Sequence, residues 1–195
     1  MFRMFHKIKY LLLIIAIIII VLLIIIFPKA RPGNYFPSKK MVKTFKGNLN
    51  NDEFIQLVDR LEGEKIQIKQ IDSHTKVAMV YEISKHMVSL VYSQEVNNGF
   101  KDDYISNLKV NRDNIIIKTP LTIGTSWRDD IGGVYQIVEM DSIVKSPAGI
   151  FKTMVIEYTN DEFFVREHYA KDIGLVKIII NNYLVNELVN LEIIE

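Results

Sequence analysis

The residue types that most often carry chemistry occur in this sequence, but not at the spacings that a metal site requires. The histidines are His6, His74, His86 and His168, and no two of them have the spacing of a metal-binding helix or finger. Glu167-His168 and the nearby Asp161-Glu162 could together supply metal ligands, but the same pattern is typical of a solvated strand and its turn. We therefore predict no metal site and no cofactor.

Nucleophilic and acid–base catalysis is indicated just as weakly. The G-x-S-x-G pattern is missing, and Gly124-Thr125-Ser126-Trp127 predicts a turn before a strand. Asp102-Asp103 and Asp129-Asp130 are adjacent carboxylates in polar loops, and neighbouring residues of an extended chain point to opposite faces. The absence of cysteine excludes a thiol nucleophile, a thiolate zinc site and disulfides. We predict that the protein is not an enzyme and has no catalytic residues.

Aromatic side chains are the remaining candidates for contact with a ligand. Trp127 is the sole tryptophan, and Tyr135 and Tyr169 lie in segments with strand patterns. Packing in or beside the core is the simpler interpretation of all three, and stacking on a ligand is the alternative. These three residues are therefore the candidate ligand or packing positions.

One long apolar segment indicates where in the cell these residues are located. Residues 11–27 read LLLIIAIIIIVLLIIIF, without one polar side chain. As a helix this segment would be roughly 26 Å long, close to the ~30 Å hydrocarbon core of a bilayer. We predict a transmembrane anchor that follows a basic tail at residues 1–10. A cleaved signal peptide is the alternative, but Pro28 lies two positions before the nearest small residue, Ala30.

Charge is distributed unevenly along the chain. Residues 1–46 include nine basic residues and no acidic ones, whereas Gly47 onward has 15 basic and 23 acidic residues, a net charge of −8. Basic residues beside a membrane each gain roughly 1 kcal/mol from anionic lipids. The basic tail favours a cytoplasmic N-terminus, and long C-terminal domains translocate largely regardless of charge. We predict a single-pass protein with its C-terminal domain outside the cell, and no binding to nucleic acid.

After a predicted linker at residues 28–37, residues 38–195 show short apolar segments separated by turn residues. The predicted strands are 65–70, 77–83, 87–92, 115–117, 134–140, 151–158, 163–170, 175–180 and 184–194. This pattern predicts a mainly β domain, an antiparallel meander that forms a half-barrel, a barrel or a sandwich. Residues 51–62 are ambiguous: their apolar spacing favours a helix, and the turn Glu62-Gly63-Glu64 favours a strand that enters a hairpin.

Several short motifs occur in an order that resembles a family of clostridial cell-envelope proteins, many of them lipoproteins. The motifs are Tyr35 to Pro37, LEGEKIQIK from Leu61, LVYSQE from Leu90, PLTIGTSW from Pro120, SPAGIF from Ser146 and YAKDIGLVK from Tyr169. The family pattern is P-L-x-x-G-x-x-W, then T-P-A-G-x-[FY], then Y-Y-A-x-x-[VI]-G-L-V-K. The resemblance implies a β-rich extracytoplasmic domain and a strand at residues 54–61, and it carries no activity.

This chain also departs from the family pattern. A plain apolar segment stands where relatives often have a lipidated cysteine, and Val42 and Phe45 replace a tryptophan and a tyrosine. His168 occupies the position of the first tyrosine of Y-Y-A. That replacement argues against a role for the position that needs a phenol.

These observations predict a membrane-anchored extracytoplasmic β domain that serves as a binding or interaction module of the cell envelope. The alternative is a carrier or sensor of a lipid or another apolar ligand, held in a curved sheet. A carrier requires a continuous apolar cavity on the order of several hundred Å³. The expected partners are the bilayer and either an apolar ligand or an envelope protein.

Overall fold

The domain is built almost entirely from β-strands. The computed structural model describes residues 13–18, 30–48 and 53–194. Within these ranges a 3₁₀ turn at Pro32–Tyr35 precedes twelve strands. In chain order they are β1 (Met41–Gly47), β2 (Phe54–Glu62), β3 (Lys65–Asp72), β4 (Lys76–Ile83), β5 (Met87–Glu95), β6 (Asn114–Lys118), β7 (Ser126–Arg128), β8 (Val134–Ser146), β9 (Gly149–Thr159), β10 (Phe164–Ala170), β11 (Gly174–Ile180) and β12 (Leu184–Ile193).

All twelve strands belong to one antiparallel sheet with the order β6-β5-β4-β3-β2-β1-β12-β11-β10-β9-β8-β7. The first strand is therefore near the middle of the sheet, paired with β2 on one side and with the last strand on the other. The two outermost strands, β6 and β7, are joined by a side chain: the indole Nε1 of Trp127 donates to the carbonyl oxygen of Ile115 at 2.9 Å. The sheet is thus a nearly closed, barrel-like layer, which confirms the predicted mainly β meander.

The inner face of this sheet holds the main hydrophobic core. Strand alternation sends every second side chain to this face, and the central strand contributes Met41 and Phe45, which are almost fully buried. The main core cluster combines side chains from both halves of the sheet, namely Met41, Val58, Ile66, Ile68, Met79, Val88, Ile117, Trp127, Ile137, Met154, Ile156 and Tyr169 together with Tyr35 and Phe36. Large side chains therefore fill most of the interior.

Part of the outer face is covered by the loop between β5 and β6. Tyr104 and Ile105 of this loop are buried in a small cluster with Ala78 and Val80. The fully buried Gln67 fixes the loop, because its amide accepts from the Tyr104 backbone nitrogen at 2.7 Å and donates to the Asp102 carbonyl at 3.0 Å. The loop is thus held against the sheet by both apolar packing and hydrogen bonds.

Residues 54–62 form a strand, so the helix favoured by their apolar spacing is wrong and the strand implied by the family resemblance is confirmed. The β2 backbone pairs on both sides, with β1 and with β3. Its apolar residues lie on both faces: Val58 is fully buried among the inner residues, and Ile55 and Leu57 are half-buried on the other side. A strand with contacts on both faces carries the same density of apolar residues as an amphipathic helix.

Of the predicted linker at residues 28–37, the part from residue 31 onward is packed into the domain. The compact unit begins at Arg31, and the side chains of Tyr35 and Phe36 are each 4% exposed in the core. Their segment packs against β11, where a Cβ on Gly174 would lie 3.0 Å from Pro37. Residues 31–37 therefore belong to the domain, because aromatic burial holds them there.

The N-terminal unit, residues 1–30, is described only at positions 13–18 and 30. Residues 13–18 are helical, and their apolar side chains are exposed. Among the described residues, no helix has the length and apolar character needed to span a membrane. The basic tail at residues 1–10 and most of the anchor predicted at 11–27 lie outside the described residues, and the anchor stays a prediction.

Candidate functional site

A lysine lies inside the domain, at a position where strand alternation calls for an apolar side chain. Lys43 is flanked on the same face of β1 by Met41 and Phe45, and it is only 1% exposed. Its Nζ lies 3.3 Å from the carbonyl oxygen of Leu175 and 3.4 Å from that of Ile173, beyond the usual length of a good hydrogen bond. None of the ion pairs in the described part of the chain includes Lys43.

Burial changes the protonation of this lysine. Removal of the ammonium group from water lowers the pKa of Lys43 from 10.5 to about 7. Lys43 is therefore close to half protonated at neutral pH, unlike an exposed lysine. Of the nine basic residues in residues 1–46, Lys43 is thus one whose side chain faces the core of the domain.

Glu167 projects from β10 into the same interior. Tyr169, two residues along the strand and on the same face, donates its hydroxyl to Glu167 Oε2 at 2.7 Å. Burial raises the pKa of Glu167, and the hydrogen bond from Tyr169 opposes this by favouring the ionised form. The pKa of Tyr135 is raised to about 12, chiefly by burial and also by the negative charge of Glu167. Glu167 is thus a carboxyl group surrounded by phenols.

Two amides add to the polar part of the interior. Gln56 faces Lys43 across the β1–β2 pair, and Gln70 faces Gln56 across the β2–β3 pair. The Nε2 of Gln56 donates to the Oε1 of Gln70 at 3.0 Å. The amides lie at inner positions on neighbouring strands, so they extend the polar surface that begins at Lys43.

These side chains line one cavity of about 230 Å³. Its polar lining consists of Lys43, Gln56, Gln70, Tyr81, Glu167 and Tyr169, and its apolar walls include Phe36, Phe54, Ile68, Ile116, Leu175 and Ile178. The volume is somewhat below the ~300 Å³ at which pockets for drug-sized ligands begin. The cavity is therefore suited to a small molecule with both an apolar part and a charged or polar part.

The three aromatic residues singled out in the sequence lie in or beside this interior. Trp127 is 6% exposed, and its ring stacks on that of Tyr135 with the centroids 5.5 Å apart and the planes 3° apart. Tyr169 lines the cavity itself and is 4% exposed. The structure thus gives Trp127 and Tyr135 packing contacts, and a ligand role remains a prediction that fits Tyr169 best.

The sequence reasoning missed Lys43, Gln56 and Glu167, although a signal for them was present. Each is a polar residue in phase with inward-facing apolar residues of its strand: Lys43 between Met41 and Phe45, and Glu167 between Val165 and Tyr169. A polar residue in that phase is expected to be buried. The helical interpretation of residues 51–62 concealed the same signal at Gln56.

The residues considered for a metal site do not come together. Glu167 faces the interior and His168 faces the opposite side of β10, where its Nδ1 lies 3.3 Å from the Thr153 hydroxyl. The Nε2 of His168 is buried and lacks a hydrogen-bond partner among the described residues. Burial, together with the positive charges of Lys177 and Arg166 and against the charge of Glu139, lowers the pKa of His168 to about 4.

We expect His168 to make the domain acid-sensitive. Its pKa is near 6.5 in the unfolded chain and about 4 when folded, so the unfolded state binds the proton first and stability falls as the pH drops from 6.5 to 4. Allowing for the partial exposure of His168, we expect the free energy of unfolding of His168→Asn to fall by about 2 kcal/mol less than that of the wild type over this pH range. Urea unfolding at pH 7 and pH 4.5 measures this, with the exposed His86→Asn as control. The prediction is wrong if the free energy of unfolding changes equally between pH 7 and pH 4.5 in the wild type, His168→Asn and His86→Asn.

Comparison with known proteins places the fold without assigning an activity. No protein-family model and no curated protein matches the chain. The domain is similar to the crystal structure of a protein from Bacteroides fragilis that is described as exported and as having a YmcC-like fold, with a TM-score of 0.53 and 15% identity over 82% of this chain and 99% of that one. The crystal structure of a Parabacteroides distasonis protein that is described as a lipoprotein aligns with a TM-score of 0.47 and 13% identity over 84% of this chain and 100% of that one.

Proposed function

We propose that the chain is a membrane-anchored extracytoplasmic domain that binds a small molecule in its interior cavity. The observation that carries this proposal is the presence of Lys43 and Glu167 in one cavity, neither of them in an ion pair within the described part of the chain. Buried ionisable groups are costly when unpaired, and they are concentrated at functional sites. A ligand that satisfies them would explain why they are there.

The location outside the cell is supported by two features. The uninterrupted apolar segment at residues 11–27 has the length and composition of a transmembrane helix, and the tail before it is basic. The Bacteroides fragilis protein of similar fold is described as exported. An anchor of this kind would confine the domain to the membrane surface and raise its effective concentration toward other envelope components.

Binding is a better interpretation of the cavity than catalysis. The only hydrogen bonds of the Lys43 ammonium in the described structure run to backbone carbonyls, and none joins it to Glu167 or to a tyrosine. Among the described residues the ammonium therefore has no side-chain partner that would activate it, and the hydrogen bond between Tyr169 and Glu167 does not include it. An envelope binding module accounts for the cavity without a catalytic step.

The alternative of a lipid carrier fits the cavity less well. An acyl chain needs a continuous apolar channel, whereas this cavity holds about 230 Å³ and is lined by an amine, a carboxyl group and two amides. The rest of the inner face is filled by large side chains. A small, partly polar ligand would leave fewer buried polar groups unsatisfied.

We expect the full chain, expressed in its native host, to sediment with membranes, to resist carbonate extraction and to be digested by protease added outside the cells. The apolar segment gives the physical reason for the first two results, and the exported domain for the third. Native mass spectrometry of the same detergent-extracted protein should show a bound species of small mass. A soluble, protease-protected chain would overturn the location, and a bound phospholipid would favour the carrier.

A further inference from the structure

Building on the proposed function, we propose that Lys43 is the anion-binding group of the cavity, that the ligand is a small organic carboxylate with an apolar body, and that Lys43 takes up a proton when it binds. The Lys43 ammonium lies in the lining of a cavity that is partly open to solvent.

Lys43 is the one cation among the described residues that line the cavity. Its Nζ has two long contacts to carbonyl oxygens, 3.3 Å to Leu175 and 3.4 Å to Ile173, and thus retains the capacity to donate a stronger bond. Charge-assisted hydrogen bonds to a carboxylate are shorter and about twice as strong as neutral ones. An anionic group beside Nζ would therefore replace weak contacts with a strong one.

The lining indicates an anion of low charge. A phosphate carries more charge and is normally held by several donors or by an arginine fork, and none of the described residues that line this cavity is an arginine. A carboxylate carries one charge, which one ammonium neutralises. The apolar part of the lining, which includes Phe54 from β2 and Ile178 from β11, is suited to a hydrocarbon or aromatic body of modest size.

Proton uptake follows from the environment of the amine. Because burial holds the pKa of Lys43 at about 7, a large part of the protein carries the neutral amine at and above neutral pH. The other titratable groups that line the cavity are Glu167 and Tyr169 from β10 and Tyr81 from β4, and none of them is a cation. A bound carboxylate favours the ammonium form, so binding at alkaline pH must bring in a proton.

The test uses the full chain in phosphatidylcholine nanodiscs, with benzoate and its neutral isostere benzamide as probes, by isothermal titration calorimetry. We expect benzoate to bind at least tenfold more tightly than benzamide at pH 7. At pH 8 only about a tenth of Lys43 would be protonated, so benzoate affinity should be about tenfold weaker than at pH 5.5. Titrations in buffers of different ionisation enthalpy should show nearly one proton taken up per benzoate at pH 8 and almost none at pH 5.5.

Three variants separate the groups involved. Lys43→Met should lose the preference for benzoate and the proton uptake, whereas Lys46→Met, on the outer face of the same strand, should keep both. Glu167→Gln removes the carboxyl group from the cavity lining and should retain the tenfold dependence on pH. The role of Lys43 is wrong if Lys43→Met still prefers benzoate to benzamide. It is also wrong if the pH dependence of benzoate affinity disappears only in Glu167→Gln.

The outcome also distinguishes this inference from the proposed function. If native mass spectrometry shows a bound small molecule without an acidic group, and benzoate binds no better than benzamide, the cavity is a ligand site and the carboxylate assignment is wrong. If neither probe binds and no small molecule is retained, the ligand-binding function itself fails.

Discussion

Replacing Lys43 with methionine is expected to stabilise the domain by several kcal/mol at pH 6. The pKa of Lys43 is 10.5 in the unfolded chain and about 7 in the folded one, so the unfolded state binds its proton more tightly. Stability therefore rises with pH between 7 and 10.5, and the full penalty is present below pH 7. At roughly 1.4 kcal/mol per pKa unit, that penalty is about 5 kcal/mol, which methionine of similar shape does not incur.

Urea unfolding of both proteins at pH 6, 8 and 9.5 measures this difference. The advantage of Lys43→Met should be largest at pH 6 and should shrink as the pH rises from 7 toward 10.5, because the proton that the unfolded wild-type amine must give up on folding is then held less tightly. Tyrosines with raised pKa values, such as Tyr81, are present in both proteins and cancel in the comparison.

Lys46→Met is the matched control for this experiment. Lys46 lies three residues along the same strand, its side chain is 61% exposed, and its contact with Glu53 is a surface ion pair at 3.7 Å. Such pairs contribute between 0 and 1 kcal/mol, so we expect little change at any pH. If Lys43→Met is less stable than the wild type, and the difference in their free energies of unfolding does not change with pH, then Lys43 is not held neutral in the core.

A lysine that lowers stability in the middle of a core calls for a reason beyond folding. Strand β1 is central in the sheet, and an apolar residue at position 43 would pack against Gln56 and Leu175 without the cost of desolvation. Sites where function and stability conflict are expected to hold such residues. The expected stabilisation of Lys43→Met and its expected loss of benzoate binding are two sides of this conflict.

The alternation of apolar residues made most of the sheet predictable from the sequence. The apolar segments at Leu175 and Val134, each preceded by turn glycines, were assigned to strands, and they form β11 and β8. Two strands were harder to identify. β7 is only three residues long, and β1 carries two lysines and a threonine, so neither has the apolar content that a pattern search needs.

The closure of the sheet and the cavity depend on contacts between residues far apart in the chain. Lys43 meets the carbonyl of Leu175, more than a hundred positions away, because β12 returns to pair with β1. No local pattern encodes that pairing. The inward phase of Lys43 and Glu167 is readable from the sequence, but their presence in one cavity is a property of the folded sheet alone.

Truncation of Trp127 to alanine is expected to cost about 3–5 kcal/mol, the range for a buried tryptophan. Trp127 is 6% exposed, stacks on Tyr135 and donates its indole hydrogen to the Ile115 carbonyl. The substitution removes this packing and the hydrogen bond to the part-buried Ile115 carbonyl. Urea unfolding followed by far-ultraviolet circular dichroism measures the loss, because the sole tryptophan can no longer report by fluorescence.

Trp127→Phe separates packing from the hydrogen bond. Phenylalanine keeps most of the ring contact with Tyr135 but cannot donate to Ile115, so we expect a cost of about 1–2 kcal/mol. In Trp127→Ala, amide hydrogen exchange should increase in β6 and β7 well before it does in β1, because these two edge strands are connected through the indole. If Trp127→Ala lowers the free energy of unfolding by less than 1 kcal/mol and leaves amide exchange in β6 and β7 unchanged, Trp127 does not close the sheet. Stacking on a ligand would then be the better explanation of this residue.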